Sequence, residues 1–177
     1  VALLLAGWLV AAHMFASRST SRSFTPEPLS LQTLGSLFFQ TLAERKGEGY
    51  KRHYPSGGGL FPIETYFLNF REGELPIGVF HYHPYDHSLD FVTNKDMNPK
   101  VWESLFSYAT DPAAALVFTT TFSRNSMKYG VRGHRLALLE AGHMGENIYL
   151  AAAALGLGCC GKISKDEDKV EELLGID

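Results

Sequence analysis

One run of the chain limits the architectures open to it more than any other: residues 135–155 contain no proline and consist largely of Ala, Leu, Glu and Met. These residue types lose little entropy on becoming helical. A helix over this run would be about 30 Å long, at about 1.5 Å per residue, and would cross a whole domain. We therefore predict one long helix around which the other elements pack, with Gly156 ending it.

The predicted helix has apolar residues at three- and four-residue spacings, which is typical of a buried face. The residues expected to be buried are Leu138, Leu139, Ala141, Ile148, Ala152 and Leu155. Residues 151–154 are all alanine, so a second helix, a strand or a flat ligand could approach closely. The glycine-rich turn at 156–161 would let backbone N–H groups face a ligand. Taken alone, the pattern favours a core helix with a glycine-rich exit turn.

The composition is typical of a globular protein. The 177 residues suffice for a sizeable core, and we expect residues 1–177 to form a single domain. A net charge of −3, without a basic stripe, excludes a general nucleic-acid binder. Cys159 and Cys160 are adjacent, a spacing that suits neither a disulfide framework nor a zinc site. A reducing, cytoplasmic location is therefore expected.

Both ends of the sequence suggest a trimmed chain. Residues 1–12 are nearly all apolar, but they are too few to span a bilayer and lack the basic start of a signal peptide. We expect a core helix there and no membrane contact, with residues 1–14 the remainder of a larger N-terminal region. Residues 165–177 are charged and amphipathic, and no closing strand follows Gly175.

Two further segments contain residues suited to an anionic or flat ligand. Arg18 and Arg22 stand four residues apart among Ser and Thr hydroxyls, an arrangement that can donate several hydrogen bonds to a phosphate. Taken alone, this segment is more simply a polar linker between helices. Three glycines at 57–59 follow Pro55 and Ser56 and adjoin large apolar residues. They predict a fixed loop where the backbone passes very near something flat or bulky.

The remaining pattern predicts an α+β fold. Its elements are a helix capped by Ser30, strands at 65–70 and 78–83, a polar loop at 84–88, a helix at 98–109 and a strand at 114–122. This order describes an α-β-α sandwich, in which helices flank a mostly antiparallel central sheet.

Three histidines on and after the second predicted strand raise the question of a metal site. No carboxylate or fourth ligand stands at a helpful spacing from His81, His83 and His87. We therefore predict strand and loop histidines, one of them lining a pocket, and no metal.

Together the motifs resemble the FMN-binding nitroreductase superfamily and, within it, the SagB/McbC-type azoline dehydrogenases. Those enzymes oxidise thiazoline or oxazoline rings in ribosomal peptides to aromatic azoles. The resemblance rests on the sequence RHYPSGGGLFPIE at 52–64 and KYGVRGHR at 128–135, supported by RSTSRSF at 18–24 and the Gly-Leu-Gly turn. It extends over residues 16–165 and implies a nitroreductase-like fold with bound FMN.

The resemblance also implies which residues bind FMN. One segment would hold the flavin phosphate and the pyrimidine edge, a second would lie along the isoalloxazine, and a turn would aim an N–H at the flavin N5. In that order the residues are Arg18, Ser19, Thr20 and Arg22; Pro55, Ser56, Gly57 and Gly58; and Cys160, Gly161, Lys162 and Ile163. For the two cysteines a packing role is favoured.

The catalytic residues implied by the resemblance are Lys128 and Tyr129. Aromatising an azoline removes a proton, for which Lys128 would be the base, and a hydride, which the flavin takes. A lysine desolvated beside a flavin could be partly neutral. Tyr129 would relay or donate a proton or stabilise the developing charge. Without the resemblance, a loop lysine paired with an acid and a tyrosine packed on the helix explain the two residues.

The resemblance further implies a homodimer with the flavin at the subunit boundary, a peptide or small-molecule azoline substrate, a cyclodehydratase partner, and oxygen as the oxidant of reduced flavin. The family's usual closing C-terminal strand is absent from the sequence, which removes any phosphate contact that it supplies. Two alternatives stay open. One is a general NAD(P)H-dependent nitroreductase or quinone reductase, and the other is a flavin-free scaffold subunit that binds a precursor peptide.

Overall fold

The computed structural model describes residues 2–47, 49, 51–95, 97–106 and 111–176. Its elements are α1 (Ala2–Ser17), α2 (Leu31–Thr41), β1 (Ile63–Asn69), β2 (Gly78–His83), β3 (Ser88–Thr93), α3 (Pro99–Phe106), β4 (Ala114–Thr120), α4 (Phe122–Tyr129), α5 (Arg132–Ala154) and α6 (Glu167–Leu174). A 3-10 turn at Gly57–Gly59 lies between α2 and β1. This mixture of helices and strands confirms the predicted α+β class.

The strands form one antiparallel sheet in the order β3-β2-β1-β4. β1 pairs with β2, with Tyr66 opposite His81, so the predicted hairpin is confirmed. β4 joins the other side of β1, with Phe67 opposite Leu116. β3 is not predicted by the sequence pattern. This edge strand exposes Phe91, whose accessible fraction is 54%, so its apolar residues do not mark a buried face.

Each face of the sheet has its own layer of helices, because successive residues of a strand point to opposite faces. Phe67 of β1 packs with Phe38 of α2 in a core cluster that also includes α5. Leu68, the next residue, packs in a second cluster with Trp102 of α3 and Leu174 of α6. The predicted α-β-α sandwich is confirmed.

Helix α5 confirms the predicted long helix and its end. Gly156 has a φ of 71°, the left-handed conformation that glycine adopts most readily. Its N–H donates to the carbonyl of Ala153 at 3.2 Å, and the N–H of Leu157 donates to the carbonyl of Ala152 at 2.8 Å. This pair of bonds is the Schellman arrangement, which satisfies the last carbonyls of a helix.

The predicted buried face of α5 is wrong in part. Ile148 and Ala152 are buried, but Leu138 and Leu139 are each 61% exposed and Leu155 is 39% exposed. The helical period admits more than one face, and the face that packs inward contains small residues and one acid. The buried residues of α5 are Gly133, Ala137, Glu140, Met144, Ile148, Ala151 and Ala152.

Two other helices, α4 and α1, differ from expectation, and the predicted end of α3 is untested. The sequence analysis does not predict α4, which begins where the predicted strand at 114–122 was expected to end. The predicted end of α3 at 109 lies outside the described residues. α1 packs along α5 and extends beyond the apolar run, but Leu9 within that run is 70% exposed, so the predicted core position is wrong for this side chain. No helix in the described part of the chain is long and apolar enough to cross a membrane.

Candidate functional site

The glycine-rich loop before β1 is a turn held by its own hydrogen bonds. The N–H of Gly59 donates to the backbone carbonyl of Ser56 at 3.1 Å, and the N–H of Phe61 donates to the Ser56 hydroxyl at 2.9 Å. Gly58 and Gly59 have φ values of 68° and 65°. Most residue types would be strained there, so the glycines allow a conformation that is needed locally.

This turn meets the two residues proposed for catalysis. A Cβ atom on Gly58 would lie 2.5 Å from the Tyr129 hydroxyl and 3.0 Å from the Lys128 Nζ. Lys128 is exposed and its Nζ lies 5.4 Å from the centroid of the half-buried Tyr129 ring. Two motifs that are far apart in the sequence therefore come together, and only a residue without a side chain leaves room for their contact.

The position of α4 relative to α5 depends on a tight joint that the sequence analysis missed. Asn125 is buried, and its amide donates to the carbonyl of Gly133 at 3.2 Å. A Cβ on Gly133 would lie only 2.9 Å from the Cβ of Asn125. At the next turn of α5, Leu136 supports the glycine loop, with its Cδ1 3.0 Å from where a Cβ of Gly57 would stand. The joint thus fixes the Lys-Tyr pair against the loop.

A second cluster unites the N-terminal Arg-Ser segment with the turn after α5. The N–H of Ser21 donates to the carbonyl of Cys159 at 2.9 Å. A Cβ on Gly158 would lie 3.0 Å from the Cβ of Ser21, so glycine permits this close approach. Burial raises the pKa of the Cys159 thiol to about 11. That thiol is therefore protonated near neutrality, in keeping with a packing role.

Tyr149 connects the parts of this second cluster, and the sequence analysis does not identify it. The Arg18 guanidinium carbon lies 5.6 Å from the centroid of the Tyr149 ring, a cation–π distance. The N–H of Gly161 donates to the Tyr149 hydroxyl at 2.5 Å. Gly161 belongs to the segment predicted to aim an N–H at the flavin N5. Its own N–H already has an acceptor within the chain, the Tyr149 hydroxyl.

The other predicted binding residues lie in the same two clusters. Arg18, Cys160 and Lys162 are half-buried, as are Ser56 and Gly57 of the glycine loop. The remainder are exposed to solvent, and Ile163 is 87% exposed. These exposed residues are Ser19, Thr20, Arg22, Pro55, Gly58, Gly161 and Ile163.

One chain does not bring the two clusters to the same place. Leu136 contacts the glycine loop, and Tyr149 contacts the Arg18 segment. At about 1.5 Å per residue, about 20 Å of α5 separates these two positions. A ligand that uses both clusters must therefore span much of the helix or bind where two copies of the chain meet.

Arg52 fastens the other side of the glycine loop. Its Nη1 donates to the Tyr54 hydroxyl at 2.7 Å, and its guanidinium carbon lies 4.5 Å from the centroid of Phe61 and 5.7 Å from that of Tyr85. Burial raises the pKa of Tyr54 to about 12, against the opposing effect of Arg52. An open cleft of about 510 Å³ adjoins the loop here, lined by Gly49, Lys51, Arg52, His53, Tyr54, Pro55, Ser56, Gly59 and Phe61.

A buried acid lies beneath the loop, again missed by the sequence analysis. Glu140 is 2% exposed, and neither of its carboxylate oxygens has a hydrogen-bond partner of ordinary geometry. Burial raises the pKa of the Glu140 carboxyl above its ordinary value, opposed by the Ser56 hydroxyl, the Arg52 guanidinium and His143. Hydropathy patterns treat a glutamate as a surface residue, so no sequence signal indicated this position.

The predicted strand histidines belong to a hydrogen-bonded chain across the sheet. His81 Nε2 lies 3.0 Å from Glu64 Oε2, and Glu64 Oε1 lies 2.6 Å from Arg124 Nη1. The same Nη1 donates to the carbonyl of Phe61 at 3.1 Å, at the end of the glycine loop. His87 contacts the hydroxyl of Tyr82 instead, at 2.8 Å. Among the described residues, no group of three or more His, Cys, Asp or Glu could hold a metal ion.

Comparison with known proteins places these motifs in a family. The nitroreductase family matches residues 15–177. A protein of Methanocaldococcus jannaschii named as a nitroreductase is 27% identical over 162 residues, which are 90% of this chain and 81% of that protein. The microcin B17-processing protein McbC of Escherichia coli is 31% identical over 137 residues, 73% of this chain. The chain spans 50% of the length of McbC.

A solved structure agrees with the sequence relatives. The E. coli microcin synthetase McbBCD complex, with truncated pro-MccB17 bound, contains a chain that superposes with a TM-score of 0.74 and 29% identity. The superposition covers 90% of this chain and 65% of that one. With the family match, the shared fold and the paired motifs at 52–64 and 128–135, the chain belongs to the nitroreductase family, as a SagB/McbC-type member of that superfamily.

Proposed function

We propose that this protein is an FMN-dependent dehydrogenase that oxidises thiazoline or oxazoline rings to azoles in ribosomally made peptides. The observation that supports it best is the close approach of Gly58 to Tyr129 and Lys128. A Cβ atom placed on Gly58 would lie 2.5 Å from the Tyr129 hydroxyl and 3.0 Å from the Lys128 Nζ. This close approach joins the two motifs that are typical of this class of enzyme. The similarity to McbC, a microcin-processing protein, supports a peptide substrate.

The residues present fit FMN in two respects. Arg18, with the nearby hydroxyls of Ser19 and Thr20, offers cationic and neutral donors suited to a phosphate. Nothing lies within 4 Å of a Cβ on Gly59, so the exposed backbone of the loop leaves room for a flat ring. When bound, FMN would supply the acceptor for the substrate's hydride. Arg18, Ser19, Thr20, Arg22 and the segments 55–58 and 160–163 would hold it.

A homodimer would complete this site. About 20 Å of α5 separates the two clusters within one chain. The α4–α5 surface beside the glycine loop exposes Met127 and Val131 at 85% and 90%, and Leu138 and Leu139 at 61% each. Burying apolar surface of this kind favours association. We propose that the two-fold contact lies there and unites the loop of one copy with the Arg18 cluster of the other.

Lys128 and Tyr129 would handle the proton that the ring loses. The Lys128 amine would take the proton from a ring carbon. The Tyr129 hydroxyl, beside the same Gly58 position, would donate a hydrogen bond to the charge that develops on the ring. The substrate loses one proton and one hydride, which balances the formation of one double bond. We further propose one domain over residues 1–177, a cytoplasmic location, and a cyclodehydratase partner, since McbC occurs in a synthetase complex.

The test combines the visible spectrum with mass spectrometry. Purified protein should show flavin absorbance and should remove two hydrogens from a cyclised peptide. Lys128→Ala should keep the flavin but lower the rate by at least about 10²-fold, the typical contribution of a positioned base. Lys165→Ala, an exposed lysine outside the site, is the matched control and should not change the rate. Full activity of Lys128→Ala would remove the assigned base.

A general NAD(P)H-dependent nitroreductase is the second candidate. It is favoured by the M. jannaschii relative, whose length this chain covers to 81% against 50% for McbC. Steady-state turnover of nitro compounds with NAD(P)H, unchanged in Lys128→Ala, would support it. Colourless protein that takes up no FMN on reconstitution would instead favour a flavin-free scaffold.

A further inference from the structure

Glu140 stands out because its carboxyl, a group that is normally charged in water, is buried in the protein. Of the described residues that are buried it is the only acidic one, and neither of its oxygens has a hydrogen-bond partner of ordinary geometry. An ionised carboxylate in such a place costs several kcal/mol, in general terms, unless it is paired. A buried orphan of this kind therefore needs a structural or functional reason.

Its surroundings connect it to the glycine loop. Leu136 and Glu140 are four residues apart on α5 and so share one face of the helix. Leu136 lies beneath Gly57, with 3.0 Å between its Cδ1 and a Cβ at that position. Ser56, the preceding residue, lies close enough to Glu140 for its hydroxyl to stabilise the charge. The Ser56 oxygen already accepts the N–H of Phe61 at 2.9 Å, so its own proton can be donated to Glu140.

We propose that Glu140 is a positioning residue that holds the Ser56–Gly58 turn on α5 through the Ser56 hydroxyl, and that it does so in its neutral form. A neutral carboxyl can accept a hydrogen bond from the serine hydroxyl without being hydrated. An ionised carboxylate favours hydration, which this buried position does not offer, so we infer that ionisation favours a turn lifted away from α5. The inference rests on the proposed function in one respect: the turn that Glu140 holds is the one proposed to lie along the flavin.

Burial affects the pKa of Glu140 more strongly than the charged and titratable groups around it do. Arg52 and Tyr54 act on it from the loop and His143 from its own helix, and Glu64 of β1 acts on Tyr54 in turn. Arg52 and His143 favour the ionised form, yet the pKa of Glu140 is raised because burial outweighs them. Closing of the turn is therefore most favoured at pH values below the ordinary pKa of a glutamate carboxyl. As the pH rises from there to the raised pKa of Glu140, the equilibrium constant for closing falls by up to about tenfold per pH unit.

Hydrogen exchange of flavin-free protein tests this directly. The readout is the protection of the peptide containing residues 56–61, measured from pH 5 to 8 in wild type and Glu140→Gln and compared at equal pH. The amide is neutral at every pH, so protection in the variant relative to wild type should rise with pH, by up to about tenfold per unit. Glu172→Gln, an exposed acid on α6, is the matched control and should match wild type throughout. A ratio for Glu140→Gln that stays constant with pH would overturn the proposal.

Two further measurements keep the outcome clear. Ser56→Ala removes the hydroxyl but leaves Glu140 buried, so residues 56–61 should be less protected than in wild type at pH 5, and equal protection there would overturn the role of the hydroxyl. If Glu140→Gln fails to fold, the wild type carries the test, and protection factors for residues 56–61 that stay constant from pH 5 to 8 would overturn the proposal. The FMN dissociation constant, measured by flavin fluorescence, should rise with increasing pH in wild type relative to Glu140→Gln. A wild type that binds no FMN refutes the proposed function, while the exchange data still decide the role of Glu140.

Discussion

Alanine substitution of Gly58, with Gly59→Ala as its control, separates backbone strain from the contact with Lys128 and Tyr129, the proposed catalytic pair. Both glycines have left-handed φ values, 68° and 65°. Both variants should therefore lose about 1–2 kcal/mol of stability from backbone strain alone. Only at Gly58 does the new methyl meet other groups, with 2.5 Å to the Tyr129 hydroxyl and 3.0 Å to the Lys128 Nζ.

The contact sets the additional effect at Gly58. A separation of 2.5 Å forces Tyr129 to move, and a side chain displaced from its rotamer costs about 0.5–1.5 kcal/mol. Gly58→Ala should therefore be about 1 kcal/mol less stable than Gly59→Ala, which corresponds to a melting temperature about 2–4 °C lower for a chain of this size. Because Tyr129 must shift, Gly58→Ala should also lose more of the proposed dehydrogenase activity than Gly59→Ala does.

Thermal unfolding followed by circular dichroism, and hydrogen loss from a cyclised peptide followed by mass spectrometry, provide the two measurements. Equal melting temperatures together with equal activities in the two variants would refute the contact between the loop and the catalytic pair. A loss of stability in Gly58→Ala without a loss of activity would leave the contact structural and would remove Tyr129 and Lys128 from the chemistry.

Three other predictions address the remaining features. Leu139→Glu should shift the protein from dimer to monomer in sedimentation analysis, because it puts a charge on the exposed α5 surface; an unchanged dimer would move the two-fold contact elsewhere. Tyr149→Phe removes the acceptor of the Gly161 N–H and should weaken FMN binding by about tenfold, roughly the net worth of one hydrogen bond, in a fluorescence titration; unaltered affinity would separate this turn from the cofactor. Alkylation of Cys159 in folded protein should stay slow up to about pH 10 and rise toward its pKa of about 11, whereas unfolded protein should react near pH 8.5; equal profiles would contradict its burial.

The sequence predicted those parts of the fold that depend on local pattern. The β1–β2 hairpin, the long α5 and the left-handed Gly156 each follow from residue type and spacing over a few turns or strands. β3 was missed because an edge strand with Phe91 exposed has no buried face to produce an alternating pattern. Leu138 was placed inside because its spacing is helical, but spacing alone cannot tell which face of a helix meets the sheet.

The candidate site divides in the same way. The glycine loop and Lys128 could be named from motifs because their residue types are unusual in combination. Glu140 and Tyr149 could not, since a glutamate and a tyrosine on a helix are ordinary until the fold puts one beneath Ser56 and the other beside Arg18. Such partners are set by the way distant segments pack, and no short stretch of sequence encodes that.

Because α5 contacts both clusters, the number of residues in this helix fixes the distance between them. Adding one residue between Leu136 and Tyr149 would turn one end by about 100° relative to the other and lengthen the separation by about 1.5 Å. No rotamer change could restore both sets of contacts at once. Insertions that keep both sets of contacts must therefore lie in the loops at either end, not within the helix between them.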